Sequence, residues 1–168
     1  MDSGAEKAGW AVLEDGPLYI DSGVERFHRW KDLPFQEYRL ELEDFWVIRT
    51  EQLIDKYEPE LIVTEIVPSR GAAISDQLYL ANTQATVVHA IAMSRRILTG
   101  QVSAIKPQKY VTKSKAKRIT KTQVRNGVLE TFPQLKDQLK FDWKQKVYER
   151  SDALAIGLFV LDYLKKSK

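Results

Sequence analysis

The sequence predicts an α/β protein in which a partly parallel sheet is covered by helices on both faces. Two short apolar runs separated by a Gly/Pro turn open the chain, and strand-like and helix-like patterns then alternate. The most apolar run, residues 61–67, is rich in β-branched residues, as buried strands are. The 168 residues suit one domain with a sizeable core, so we expect residues 1–168 to form a single domain.

The first half of the chain is predicted to contain a hairpin, a helix and a buried strand. Residues 9–13 and 18–27 flank the turn and form the hairpin. Apolar residues recur every three or four positions across residues 38–54, which predicts an amphipathic helix. Residues 61–67 form the buried strand, which Pro68 ends.

The second half is predicted to be mostly helical. A long helix spans residues 74–98 and closes at Gly100, and a short strand follows over residues 102–105. Thr120 is placed to cap a helix over residues 120–131, and the last helix spans residues 151–164.

Composition excludes several classes of site. The chain has no cysteine, which removes disulfides, thiol nucleophiles and cysteine-ligated metals. The two histidines, His28 and His89, make a histidine-rich metal site or a Ser-His-Asp triad a poor hypothesis. Because there is no 18-residue apolar run and no signal segment, we expect a soluble, unsecreted protein in the cytoplasm, without a membrane partner. We also expect no small-molecule cofactor.

The net charge of +3 conceals a strong segregation of charge along the chain. Residues 1–76 carry 8 basic and 17 acidic side chains, a net of −9. Residues 77–129 carry 10 basic side chains and no acid, and residues 130–168 have a net of +2. An acid-free segment of this kind favours a polyanionic partner such as nucleic acid.

Four carboxylates lie where this architecture would bring them together: Asp2 at the start, Glu65 near the end of the buried strand, and Glu149 and Asp152 at the start of the last helix. Oxygen ligands without histidine or cysteine suit Mg²⁺ or Mn²⁺. Two such ions can activate water and stabilise the leaving oxygen of a phosphodiester. Alternatively, Asp2 is a turn residue, Glu65 an ion-paired strand end, and the last two a pair that the helix dipole favours.

Three motifs, in order, resemble the RuvC family of Holliday junction resolvases. Asp2-Ser3-Gly4 followed by Gly9-Trp10-Ala11-Val12 is similar to the opening pattern of that family. Leu61-Ile62-Val63-Thr64-Glu65 resembles the strand that carries its second acid. Ser151-Asp152-Ala153-Leu154-Ala155-Ile156-Gly157 closely resembles its closing helix, and together the motifs span nearly the whole chain.

The resemblance implies an RNase H-like fold with a five-stranded mixed sheet of order 3-2-1-4-5, flanked by helices. It also implies a homodimer that resolves four-way DNA junctions by two symmetric nicks, in a bacterial cell or a phage-infected host. The metal-binding acids would be Asp2, Glu65, Glu149 and Asp152, which would hold two Mg²⁺ or Mn²⁺ ions in each active site.

The chain departs from the family pattern at three positions. Glu149 stands where the family usually has Asp, and Pro68 stands where bacterial members carry an aromatic residue that contacts DNA. Only Met1 precedes the first acid, so the predicted first strand is truncated and we expect the native chain to begin further upstream.

The basic segment supplies the predicted DNA contacts. Lys121-Thr122-Gln123-Val124 resembles a family motif whose lysine lies near the scissile phosphate, which makes Lys121 a candidate catalytic residue that stabilises the transition state. A solvated lysine face or a localisation signal would give the same density of charge. The candidate DNA-binding residues are Lys106, Lys109, Lys113, Lys115, Lys117, Arg118, Lys121 and Arg125.

The leading hypothesis is therefore a metal-dependent, structure-specific endodeoxyribonuclease that nicks Holliday junctions. Two alternatives stay open. The first is a broader debranching nuclease that acts on flaps, forks or Y-junctions, and Pro68 would allow such a change of substrate. The second is a junction-binding protein that keeps the fold without catalysis, although all four acid positions carry Asp or Glu.

Overall fold

Strands and helices alternate along a computed structural model that describes residues 7–16, 18–27, 33–66, 76–116, 118–145 and 147–167, with residues 76–81 described for the backbone alone. The elements in chain order are β1 (Lys7–Glu14), β2 (Leu18–Arg26), α1 (Phe35–Tyr57), β3 (Leu61–Ile66), α2 (Asp76–Ser94), β4 (Leu98–Ser103), α3 (Ile105–Thr112), α4 (Lys121–Thr131), α5 (Lys136–Lys144) and α6 (Glu149–Lys166), with a 3-10 turn at Pro133–Leu135. This architecture confirms the predicted α/β class.

The predicted hairpin is present as β1 and β2. The two strands are antiparallel, with Lys7 opposite Arg26 at one end and Glu14 opposite Leu18 at the turn. Gly16 adopts a φ of 103° in that turn, a conformation that glycine reaches without steric cost.

The strands β3 and β4 pair in parallel, with Glu65 opposite Val102. Their carboxyl ends therefore lie at the same edge, which is where ligand sites form in open sheets. The described strands make two two-stranded sheets. The five-stranded sheet of order 3-2-1-4-5 stays a prediction, because its first strand, around Asp2, falls outside the described residues.

The hairpin lies between α1 on one face and α6 on the other. Successive residues of a strand point to opposite faces, and β1 follows this rule. Ala8 packs into a cluster with Tyr38, Leu42 and Trp46 of α1. On the other face, Ala11 and Leu13 of β1 pack against the cluster that includes α6.

Two glycines allow α6 to lie directly on β1. A Cβ atom at Gly9 would come within 1.9 Å of the backbone oxygen of Glu149, and a Cβ atom at Gly157 would come within 2.5 Å of Leu13 Cδ1. Contacts that short leave no room for a side chain. The backbone of β1 and the first turn of α6 are therefore in direct contact.

The second core cluster joins the last four helices. Its buried members are Val111, Val124, Val128, Phe132, Leu135, Leu139, Leu154, Ala155 and Leu158. This cluster places α4 and α5 beside the first half of α6, where two of the predicted acids lie. No helix of the described residues is long and apolar enough to span a bilayer.

Several predicted boundaries are wrong. The long helix ends at Ser94 and not at residue 98. The strand that follows it spans residues 98–103 and not 102–105. Ile105 begins α3, which the density of lysines concealed, and α5 was not predicted. The hairpin, the helix beginning after Thr120 and the last helix are confirmed, although Leu164, predicted for the core, is 41% exposed.

Candidate active site

Glu149 begins α6 and is held by a cation and a backbone amide. Lys7 Nζ lies 2.9 Å from Glu149 Oε1, and the Tyr148 amide donates a hydrogen bond to Oε2 at 2.8 Å. Lys7 and Gly9 are on the same face of β1, so the strand that contacts the first helical turn also supplies its countercharge. The Glu149 side chain is 16% exposed.

The electrostatic environment keeps Glu149 ionised. Burial acts to raise its pKa, but hydrogen bonds from Lys7 and from backbone amides, with the charge of Lys7, outweigh burial. The pKa of Glu149 therefore lies below its ordinary value. A carboxylate that stays charged in a largely buried position can hold a cation.

Asp152 lies one turn after Glu149 and is more deeply buried, with a side chain 6% exposed. Lys121 Nζ forms an ion pair with Asp152 Oδ2 and remains 46% exposed. Lys121 is the first residue of α4, and Thr120 caps that helix in a capping box with Gln123. The cap thus fixes the point at which the lysine side chain leaves the helix.

Glu65 lies near the end of β3 and is partly buried. Its neighbour Thr64 is buried and shares a hydrogen bond of 3.0 Å with His89 of α2, and burial lowers the pKa of that histidine. His89 therefore joins α2 to β3 beside the predicted acid. Helix α6, which packs mainly on β1, also contacts β3.

The described residues bring together two of the four predicted acids, Glu149 and Asp152, with the predicted Lys121. Asp2 lies outside the described residues. Within the part of the chain that is described, no group of three or more Asp, Glu or His side chains is close enough to hold one metal ion. The complete four-acid site stays a prediction.

Comparison with solved structures identifies the fold. Thermus thermophilus RuvC matches with a TM-score of 0.68 and 14% identity, covering 99% of this chain and 93% of the other. T. thermophilus RuvC in complex with a Holliday junction substrate matches with a TM-score of 0.69 and 15% identity over 98% and 92%. The chain has a RuvC-like fold. The yeast mitochondrial Holliday junction resolvase Ydc2 matches with a TM-score of 0.56 and 16% identity over 90% and 69%.

Sequence comparison adds no relative to this RuvC-like fold, since neither protein-family models nor curated protein sequences match the chain. The similarity to these solved structures is thus one of fold, at 14–16% sequence identity. The RuvC resemblance of three short motifs agrees with the match of the whole chain.

The predicted basic residues of this RuvC-like chain lie mostly at its surface. Lys106 and Lys109 are exposed on α3. Lys113 is the C-cap residue of that helix, and it forms an ion pair of 3.2 Å with Glu130. Lys115 and Arg118 are exposed before α4. Arg125 of α4 is partly exposed, and Lys117 is outside the described residues. The segment can therefore meet an anionic partner from several elements.

Three residues at the site were not predicted from the sequence. The first is Lys7. The other two are Asp142 and Arg150, which form a buried ion pair with 2.8 Å between Oδ2 and Nε. Asp142 follows Leu135 and Leu139 at helical spacing, so the pattern does place it on the buried face. Nothing in the sequence indicates that its partner is Arg150.

Proposed function

We propose that this chain is a metal-dependent endonuclease that nicks branched DNA, with four-way junctions as its preferred substrate. One observation carries the proposal: on a RuvC-like fold, Glu149 and Asp152 project from the first turn of α6, and each is neutralised by a lysine. A matched structure of this fold is in complex with a Holliday junction. A single domain acting as a homodimer would make the two symmetric nicks.

The donor set fits a hard divalent cation. The side chains at the first turn of α6 offer carboxylate oxygens, and one oxygen of each carboxylate forms an ion pair with a lysine ammonium group. Glu149 and Asp152 would bind the metal, with Glu65 and Asp2 completing the four acids. Mg²⁺ or Mn²⁺, two ions in each site, would supply activation of water and charge stabilisation at the leaving oxygen.

The two lysines have separate roles. Lys7 keeps Glu149 ionised, as the lowered pKa of that carboxyl indicates. Lys121 is nearly half exposed, so the ammonium group that pairs with Asp152 is also accessible to a phosphate. We assign to Lys121 the stabilisation of negative charge on the phosphate as the bond breaks.

The surface charge of the basic segment fits DNA as a partner. Lys106 and Lys109 on α3, with Lys115 and Arg118 in the following loop, are exposed, and residues 77–129 carry no acid. Contacts to phosphates give affinity without reading sequence, which suits an enzyme that recognises the shape of a junction. We place the reaction in the cytoplasm of a bacterial cell or a phage-infected host.

The test is nicking of a synthetic four-way junction in Mg²⁺ or Mn²⁺. We expect Asp152→Asn to reduce the nicking rate by at least about 100-fold, because a donor to the metal and the partner of Lys121 are both altered. Asp162→Asn is the matched control, since Asp162 lies on the same helix and pairs with Lys166 at 2.6 Å. Calorimetric titration with Mn²⁺ should show weaker binding to the first variant alone.

Three outcomes would contradict the proposal. Nicking by Asp152→Asn at the wild-type rate would refute the assigned chemistry, and faster nicking of flaps or forks than of junctions would favour the debranching alternative. Tight junction binding without nicking by wild-type protein would favour the non-catalytic alternative.

A further inference from the structure

We propose that α5 and the adjoining face of α4 form a second phosphate-binding surface, which contacts the DNA backbone beside the cleavage site. This inference rests on the proposed function. We define the α5 surface as Lys136, Lys140, Trp143, Lys144 and Arg125. Four of its five members lie outside the basic segment that the sequence had indicated.

The lysines of α5 follow one side of the helix. Lys136, Lys140 and Lys144 are exposed and recur every four residues, so they span about 12 Å along the axis. Among the described residues, no carboxylate forms an ion pair with any of the three. Of the two acids of α5, Asp142 is buried and paired with Arg150, and Asp137 alone is exposed. The outer side of α5 is therefore positive.

An aromatic side chain connects these lysines to α4. Trp143 lies three residues after Lys140 and is partly exposed, and the Arg125 guanidinium lies 4.9 Å from the centre of its ring. Arg125 in turn lies one helical turn after Lys121. Positive groups thus continue from the ion pair at Asp152, along α4 and across Trp143, to α5.

The same tryptophan fixes the α5 surface relative to the carboxylates. The Trp143 and Tyr148 rings pack edge to face with centroids 5.0 Å apart, and the Tyr148 amide donates to Glu149. Asp142, adjacent to Trp143, is paired with Arg150, the residue after Glu149. Helix α5 is therefore attached to the first turn of α6 at two points.

A continuous positive surface beside a phosphodiester-cleaving site fits the phosphates next to the scissile one. If the scissile phosphate lies at Lys121, the neighbouring phosphates along the strand meet Arg125 and the α5 lysines. Such contacts position DNA and increase affinity without reading sequence. The partner that this surface accepts is thus the sugar-phosphate backbone of an arm of the branched DNA.

The experiment measures junction binding by fluorescence anisotropy, without divalent metal, over a series of salt concentrations. The test variant is Lys136→Glu with Lys140→Glu, and Lys136→Arg with Lys140→Arg preserves the charge. The matched control is Lys165→Glu with Lys166→Glu, which changes two exposed lysines about 24 Å along α6 from its first turn.

We expect the test variant to bind at least about tenfold more weakly near 0.1 M salt, with a salt slope lower by about 2. The arginine variant and the control should stay within about twofold of wild type. In a second measurement, single phosphates on either side of the nicking position are replaced by neutral methylphosphonates. The replacements at a few positions should weaken binding by the wild-type protein, and the same replacements should not weaken binding by the test variant further.

The outcomes separate the two proposals. Equal losses of junction affinity in the test variant and the control would overturn the α5 surface, because the effect would then come from net charge and not from the position of the lysines. Unchanged junction binding by the test variant would also overturn the α5 surface. In that case, the proposed function would still stand if the wild-type protein nicks junctions. If wild-type protein binds no branched DNA, both proposals fail. If the test variant loses binding to anionic phosphatidylserine vesicles but not to DNA, the surface belongs to a membrane.

Discussion

Gly9 determines how closely α6 approaches the hairpin. The absence of a Cβ atom leaves room for the backbone oxygen of Glu149. The backbone of Glu149 therefore lies directly against β1. The same face of β1 carries Lys7, the partner of that carboxylate. The absence of a side chain at Gly9 thus allows Glu149 to lie against the strand that carries its counterion.

We predict that Gly9→Ala is strongly destabilising. The new methyl group would lie 1.9 Å from a backbone oxygen, so the helix must shift, at a cost of about 3 kcal/mol in the free energy of unfolding. Gly100→Ala in β4 is the control, since its methyl group would meet Val63 Cγ2 at 3.6 Å, an ordinary contact. Urea denaturation measures both, and equal stabilities of the two variants would contradict the described contact.

Tyr57 gives a prediction for pH dependence on the opposite face of the hairpin. Its hydroxyl donates to Asp21, and this bond is the largest cause of the lowered pKa of Asp21, with burial opposing it and the Ser22 amide and Lys56 assisting. A lowered pKa means that ionised Asp21 stabilises the folded state above the ordinary pKa of 3.8. That stability is lost as the pH falls through the lower folded-state value.

We therefore expect Tyr57→Phe to lower the free energy of unfolding at neutral pH by about 0.5–1 kcal/mol, since Asp21 is partly exposed. The difference from wild type should disappear in strong acid, where Asp21 is protonated in both proteins. Urea denaturation at a series of pH values measures it. Tyr163→Phe, at an exposed tyrosine, should show no such dependence, and a Tyr57→Phe deficit that persists in strong acid would refute the linkage.

Among whole elements, α5 and α6 are joined by a buried ion pair. Arg150 of α6 pairs with Asp142 of α5 and donates a hydrogen bond of 3.3 Å from Nη1 to the Ser22 carbonyl of β2. Burial raises the pKa of Asp142 despite the attraction of Arg150. The pair is therefore costly to bury, and through Arg150 it connects α5, α6 and β2.

We predict that Asp142→Leu alone costs about 3–5 kcal/mol of unfolding free energy, because it leaves the buried guanidinium without its countercharge. The double variant with Arg150→Met should recover much of that loss, since no buried charge remains. A double-mutant cycle by urea denaturation measures the coupling. Additive effects of the two changes would show that the ion pair does not determine the packing of α5.

At the scale of the whole molecule, the sequence predicted the class of fold and most elements. Local patterns sufficed for the hairpin, for α4 with its Thr120 cap and for α6, because each has a clear period or a turn signal. They failed at α3 and α5, where lysines dilute the apolar period and burial comes from neighbouring helices. Tertiary contacts decide such segments.

The candidate site was predictable in part for the same reason. Glu149 and Asp152 are three residues apart, so helical geometry alone places them together. Lys7 and Arg150 meet their partners across the fold, 142 and eight positions away along the chain. Pairings of that kind depend on how β1, α5 and α6 pack, which no local pattern records.

The contact of α6 with β1 has a consequence for exchanging parts between proteins of this fold. Two of its close contacts, Gly9 with Glu149 and Leu13 with Gly157, are four residues apart on the strand and eight on the helix, which are spans of about 13 Å and about 12 Å. Because the two spans have nearly the same length, the strand and the helix pack against each other at both contacts. A chimaera should therefore receive residues 7–14 and 149–157 from the same parent.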